Sequence, residues 1–145
     1  MPHPTFFSWH HELDHLRSSV VCSTPHLEDA HKTWISAPAW QMVTPGGEAA
    51  TEALILSGLK HTAVTAVLIG PETAGRRWVQ HEINSSLKRG NGLFGIYLHN
   101  IEDEFGSTVP KGANPLPPGY PTYDWVLEDG FSNLGHWVDA AYFAP

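Results

Sequence analysis

Glu82 follows Trp78 by one helical turn and precedes Ser85 by nearly another, in a stretch that begins just after an apolar run ending in Gly70-Pro71. The spacing i, i+4, i+7 puts these three side chains on one side of a helix. Val79 and Ile83 are rotated by about 100° from them, toward a core. Glu82 is thereby expected at the boundary between core and cleft. A carboxyl group there is partly desolvated, which raises its pKa and lengthens its electrostatic reach. Trp78 can wall a pocket or stack on a ring. Arg76 and Arg77 can hold a phosphate near the helix start, where free N–H groups also favour anions. The same residues also fit a plain surface helix, with Glu82 solvated, the arginines ordinary surface charges and Trp78 a packed aromatic.

A second cluster is His11-Glu12-Leu13-Asp14-His15, which matches the H-E-x-x-H pattern of zinc hydrolases. That chemistry needs both histidines one turn apart on a helix, with the glutamate activating a metal-bound water. Here the pattern falls at a strand-to-helix junction, and its flanks lack an apolar helix. No third ligand stands at a recognisable spacing, although His26, Glu28 and His31 exist. The chain has 10 histidines, so chance matches multiply. No resident metal is expected. Among the other histidines, His99 ends a predicted strand and stays open, while His61, His81 and His136 are read as surface residues.

The elements that must position these groups alternate. Residues 5–9, Thr-Phe-Phe-Ser-Trp, form a short β-prone strand. Residues 14–22 read as a helix capped by Asp14, with Leu16, Val20 and Val21 inward. Residues 23–45 hold Pro25, Pro38 and Pro45 and read as loop, with one edge strand at 40–43. Residues 47–60 are a helix candidate, with Ala50, Leu54 and Gly58 at helical spacing. Residues 63–69 are nearly all apolar and suit a central parallel strand buried on both faces. Thr73 is expected to cap the helix of residues 75–88, whose inner stripe is Val79, Ile83 and Leu87. Residues 93–98 form a second buried strand. Residues 99–121 form a long loop carrying Pro110, Pro115, Pro117, Pro118 and Pro121, and loops of that length in small domains usually serve function. Residues 123–126 make a last strand and residues 133–142 a last helix. This order predicts an α/β fold: a parallel sheet with helices on both faces. Ligands of such sheets sit beyond the carboxyl ends of the strands. That nominates the loops after residues 9, 69 and 98.

The bulk numbers set bounds. The 145 residues are enough for one core and are read as one domain, 1–145. A formal charge of −7 opposes non-specific binding to nucleic acid. A single cysteine, Cys22, excludes an internal disulfide and is read as a buried helix residue. No signal peptide and no membrane-spanning run is visible, so a cytoplasmic protein is expected.

The segment Val67-Leu68-Ile69-Gly70-Pro71-Glu72-Thr73-Ala74-Gly75-Arg76-Arg77-Trp78-Val79-Gln80-His81-Glu82-Ile83 resembles the signature of the bacterial TIR-like family typified by the Thoeris anti-phage TIR protein. The matching positions are the apolar strand to Gly70, Thr73, Arg77, Trp78-Val79 and Glu82-Ile83. Residues 91–100 are similar to that family's next strand, residues 5–14 to its first strand and loop, and residues 123–141 to its C-terminal end. The resemblance implies a flavodoxin-like, TIR-like fold and cleavage of NAD+ at the nicotinamide–ribose bond. A cyclic ADP-ribose isomer would then signal to a product-sensing effector protein. NAD+ is substrate here, and no bound cofactor is implied. The catalytic residue carried over is Glu82. Phe7, Ser8, His10 and His11 would lie at the first-loop side of the pocket, with Arg77 and Trp78 on the helix. Homo-oligomers are a further implication.

The chemistry implied is coherent. Losing nicotinamide leaves positive charge on the ribose, and one carboxylate near that sugar can stabilise it. No second acid is needed, since nicotinamide leaves without protonation. Excluding water favours internal attack by another atom of the nucleotide, and hence cyclisation. Two other readings stand beside this one: a non-catalytic TIR-like module that binds nucleotides or other TIR domains, and the zinc hydrolase.

Overall fold

The computed structural model describes residues 5–9, 14–22, 53, 55–57, 59, 60 and 62–143. The expected edge strand at 40–43, the loop of residues 23–45 and the first-loop residues 10–13 lie outside them. So does much of the helix expected over 47–60, of which residues 53, 55–57 and 59 are helical.

Among the described residues four strands form one sheet in the order β1-β2-β3-β4, every neighbouring pair parallel. They are β1 (Thr5–Ser8), β2 (Val64–Ile69), β3 (Gly92–Tyr97) and β4 (Thr122–Asp124). β2 is central because nothing in Val64–Ile69 needs water: all six residues are buried. Its only hydroxyl, on Thr65, lies 2.7 Å from the Ser86 hydroxyl. The helices whose bounds lie wholly among the described residues are α1 (His15–Cys22), α2 (Arg77–Arg89) and α3 (Gly130–Phe143).

Strand alternation divides the side chains between two cores. One face carries Val64, Ala66, Leu68, Phe94 and Ile96 against Val21 and Cys22 of α1 and Leu134, Trp137 and Val138 of α3. The other carries Val67, Ile69 and Leu93 against Val79 and Ile83 of α2. Phe6 lies on this second face with Ile55 and Leu59, and Trp78 packs against them. Helices therefore cover both faces, as the strand–helix alternation requires. Cys22 is buried, as expected. Among the described residues no helix is long and apolar enough to cross a membrane.

α1 is turned differently from the expectation. Leu16 and Val20 are exposed, whereas Arg17, Ser18, Val21 and Cys22 are buried. The reason lies far along the chain. Arg17 Nε donates to the carbonyl of Ile101 at 2.8 Å, and its Nη2 to that of Ser107 at 3.0 Å. A buried guanidinium with two carbonyl partners fixes the inward side of so short a helix more firmly than two aliphatic side chains would.

The loop after β3 straps the carboxyl edge of the sheet. It is tied to α1 by Arg17 and then passes over the end of β2. A Cβ added at Gly112 would stand 2.0 Å from the Gly70 carbonyl oxygen. Leu116 then enters the core beside α2.

Candidate active site

β1 and α2 meet on the same face of the sheet. Phe6 and Ser8 point toward α2 because alternate residues of a strand share a face. On α2, Trp78 and Glu82 are one turn apart and point back toward β1. The Ser8 hydroxyl donates to Glu82 Oε1 at 2.6 Å. Among the described residues Oε2 has no partner.

Glu82 is not half-solvated, as the pattern alone suggested. It is 2% exposed. Burial raises its pKa to about 8, against the lowering effect of the Ser8 hydrogen bond. The resting side chain is therefore mostly protonated at neutral pH, with one oxygen held by Ser8 and the other without a hydrogen-bond partner among the described residues.

α2 is held in this rotation from beneath. The Ser86 hydroxyl donates to the Glu82 carbonyl at 2.8 Å and contacts Thr65 on β2. Asn91 Nδ2 joins Thr62 at 3.0 Å and Thr65 at 3.3 Å. These buried polar groups satisfy one another, so the helix can sit close on the sheet without stranding a donor. The helix ends at Gly90 in the left-handed region, φ 79°, where glycine carries no steric penalty.

Thr73 has a different task from the cap assigned to it. α2 starts at Arg77 after a short 3-10 turn, Thr73–Gly75, and has no side-chain cap. The Thr73 hydroxyl accepts from the Gly70 N–H at 2.8 Å and donates to Asp14 Oδ2 at 3.2 Å. Asp14 and Thr73 are both buried, at 2% and 0% exposure. The loops after β1 and β2 are thus joined directly, and Gly70 is glycine because any Cβ would meet the Asp14 carboxylate at 2.2 Å. Sequence reasoning missed this clamp. The available signal was an acid at the end of the first loop and a hydroxyl three residues past the glycine that ends the central strand.

The other expected site residues separate into three groups. Trp78 is half-buried beside Phe6, with its ring edge-on to His81. Arg77 is exposed and lies over the Trp78 ring, its guanidinium carbon 4.9 Å from the centroid. Phe7 is on the opposite face of the sheet from Glu82, inside the α1–α3 core. The pleat that aims Ser8 at Glu82 necessarily turns Phe7 away, so Phe7 does not line that site. His10 and His11 lie outside the described residues. α1 starts at His15 with Asp14 outside it, and His11, Glu12 and Leu13 of the zinc motif lie outside the described residues.

At the far side of the same edge, His99 Nε2 lies 3.6 Å from Asp124 Oδ2, and Asn100 Nδ2 donates to that oxygen at 2.8 Å. Lys111 sits over the Tyr97 ring.

A parallel sheet covered on both faces, with a buried glutamate from the helix after its central strand, defines a TIR-like α/β protein. Residues 6–103 match the family described as "Thoeris protein ThsB, TIR-like domain", and the chain belongs to that family. A protein of Bacillus cereus (strain MSX-D12), named "Putative cyclic ADP-D-ribose synthase ThsB1", is 27% identical over 187 aligned positions. The alignment covers 92% of this chain and 97% of the relative.

Proposed function

We propose that this protein cleaves the nicotinamide–ribose bond of NAD+ and closes the remaining nucleotide into a cyclic ADP-ribose-type signal in anti-phage defence. The observation that carries this reading is the Ser8–Glu82 pair: a buried carboxyl group at the ligand edge of a TIR-like sheet, with one oxygen unpartnered among the described residues. The name of the Bacillus cereus relative supports the same reaction class.

In the proposed reaction Glu82 acts as an ionised carboxylate. The nicotinamide ring of NAD+ is cationic, so its arrival favours the charged form of a nearby acid and offsets the cost of burial. As the ring leaves, positive charge moves to the ribose carbon, where a carboxylate in a water-poor site is most effective. Ser8 fixes the rotamer, so that little reorganisation is needed when charge develops. The burial of Glu82, which keeps solvent from the sugar, favours its capture by the nucleotide itself. The finer assignments are part of the proposal: NAD+ as substrate, no bound cofactor, a product-sensing effector protein, homo-oligomer formation, and Trp78 and Arg77 at the entrance.

The test is to incubate pure protein, or lysate of phage-infected expressing cells, with NAD+ and to measure nicotinamide and cyclic products by chromatography. Wild-type chain is expected to release nicotinamide. Glu82→Gln and Glu82→Ala should lower turnover by at least about a hundredfold, the scale of losing one electrostatic stabiliser. Unchanged turnover in folded Glu82→Gln would remove Glu82 from the mechanism. Ligand-induced stabilisation with no turnover, infected lysate included, would favour the non-catalytic binding module.

A further inference from the structure

α1 shows an apolar edge to solvent that the core does not use. Leu16 is 62% exposed and Val20 47%, one turn apart on the helix. The loop after β3 presents Phe105, 85% exposed, next in the chain to the groove residue Glu104. Between helix and loop runs a groove of about 180 Å³, whose lining includes Leu16, Val20, Glu102 and Glu104.

The loop is built to hold its shape. Arg17 grips it at the carbonyls of Ile101 and Ser107. Asp103 Oδ1 accepts from the N–H groups of Phe105 and Ser107, each at 2.9 Å. These two bonds, led by that from Ser107, hold the Asp103 carboxyl below the usual range, so it stays ionised. Gly106 takes φ 77°, which lets the chain turn back sharply. Ordering a loop costs entropy, and a loop ordered beforehand spares a partner that cost. A large aromatic held in water on such a loop has the form of an interface anchor.

The charge around the groove selects the occupant. Glu102 and Glu104 are exposed with Asp103 between them, and Arg17, the one cation among the described lining residues, bonds backbone carbonyls and sets its charge against Asp103. A second copy of this chain, at −7, would bring like charge to an acidic rim. Leu16 and Val20 form a ridge at i, i+4, the spacing against which another helix packs.

We propose that the groove between α1 and the loop after β3 docks a cationic amphipathic helix of another protein. Its apolar side rests on Leu16, Val20 and Phe105, and its lysines or arginines face Glu102 and Glu104. This surface does not depend on the reaction assigned to Glu82.

The probe is a synthetic Leu/Lys amphipathic helical peptide of roughly five turns, labelled for fluorescence anisotropy. Binding sites are mapped by amide chemical shifts of the isotope-labelled full chain. Saturable binding is expected, with shifts concentrated in residues 16–20 and 101–107. Glu102→Lys with Glu104→Lys, Leu16→Ser with Val20→Ser, and Phe105→Ala should each weaken it by about tenfold or more. A peptide of equal charge with serine in place of leucine should bind at least about tenfold more weakly. Shifts centred elsewhere, equal binding of the serine peptide, or variants that bind like wild type would each overturn the proposal. So would self-association in sedimentation velocity that Phe105→Ala abolishes, because the face would then belong to a second copy. The peptide controls use the unaltered chain, so the test does not depend on any variant folding.

Discussion

The Ser8 hydroxyl on β1 donates to Glu82 Oε1 on α2 across 2.6 Å, and no other hydrogen bond to that carboxyl is present among the described residues. It therefore acts alone against the burial that pushes the Glu82 pKa up to about 8. Removing it in Ser8→Ala takes away the stabilisation of the ionised form and leaves the desolvation. The pKa rises further, by about one to two units on the scale of a hydrogen bond to a charged group. If ionised Glu82 carries the reaction, the acidic limb of the pH–rate profile in NAD+ turnover moves to higher pH by that amount. The wild-type limb should fall near pH 8 in the free protein. Ser8→Thr keeps the hydroxyl and should keep the position of the limb.

The same shift has a consequence for stability. Glu82 ionises near 4.5 in an unfolded chain and near 8 in the folded one. Between those values the folded state binds more protons than the unfolded state, so stability falls as pH rises through the window. It is highest below about 4.5, and the loss is complete above about 8. Glu82→Gln retains an acceptor for Ser8 and abolishes the titration. Urea unfolding should show the variant gaining on wild type as pH rises, by a few kcal/mol at the alkaline end. A constant difference across that range would mean that the carboxyl is solvated in solution.

The parts of the fold legible in the sequence are those whose environment is uniform. β2 reads as a buried strand because every residue from Val64 to Ile69 is enclosed. Val79 and Ile83 read as the inner stripe of α2 because they pack on the sheet. The side of α2 bearing Trp78 and Glu82 was legible for the same reason. The orientation of α1 was not, because Arg17 is turned inward by carbonyls 84 and 90 residues away. Local periodicity carries no record of such partners. Thr73 was read as a cap because hydroxyls favour helix starts, yet Asp14 and Gly70 compete for it and win. The pleat also separates Phe7 from Ser8: a period of two cannot turn both side chains to the Glu82 side.

Arg17 offers a direct measure of how firmly the loop after β3 is held. Arg17→Met keeps the length of the aliphatic stem and removes both donors. The buried Ile101 carbonyl loses its side-chain donor, at a cost of about 1–3 kcal/mol, while the Ser107 carbonyl keeps the Asp103 N–H at 2.9 Å. Thermal unfolding should register that loss. Amide exchange should quicken at Phe105 and Ser107, whose N–H groups are held by Asp103. Exchange unchanged from wild type would show that the loop's own hydrogen bonds shape it without Arg17.

Gly112 and Gly75 make a matched pair, both reached by the same substitution. At Gly112 a methyl group would lie 2.0 Å from the Gly70 carbonyl oxygen and 3.1 Å from the Pro71 Cα. Both are backbone atoms, and Gly70 is held in turn by its N–H bond to Thr73. Relief must therefore come from lifting the strap off the end of β2. Gly112→Ala should destabilise by about 1–3 kcal/mol, as overpacking does. At Gly75 a methyl group meets nothing within 4 Å and the backbone φ is not positive. Gly75→Ala should be neutral or stabilise by up to about 1 kcal/mol through the unfolded chain. Denaturant midpoints of the two variants decide the matter. If Gly112→Ala unfolds with the wild-type midpoint, the strap does not rest on Gly70 in solution, and the carboxyl edge beside Glu82 is more open than the structure draws it.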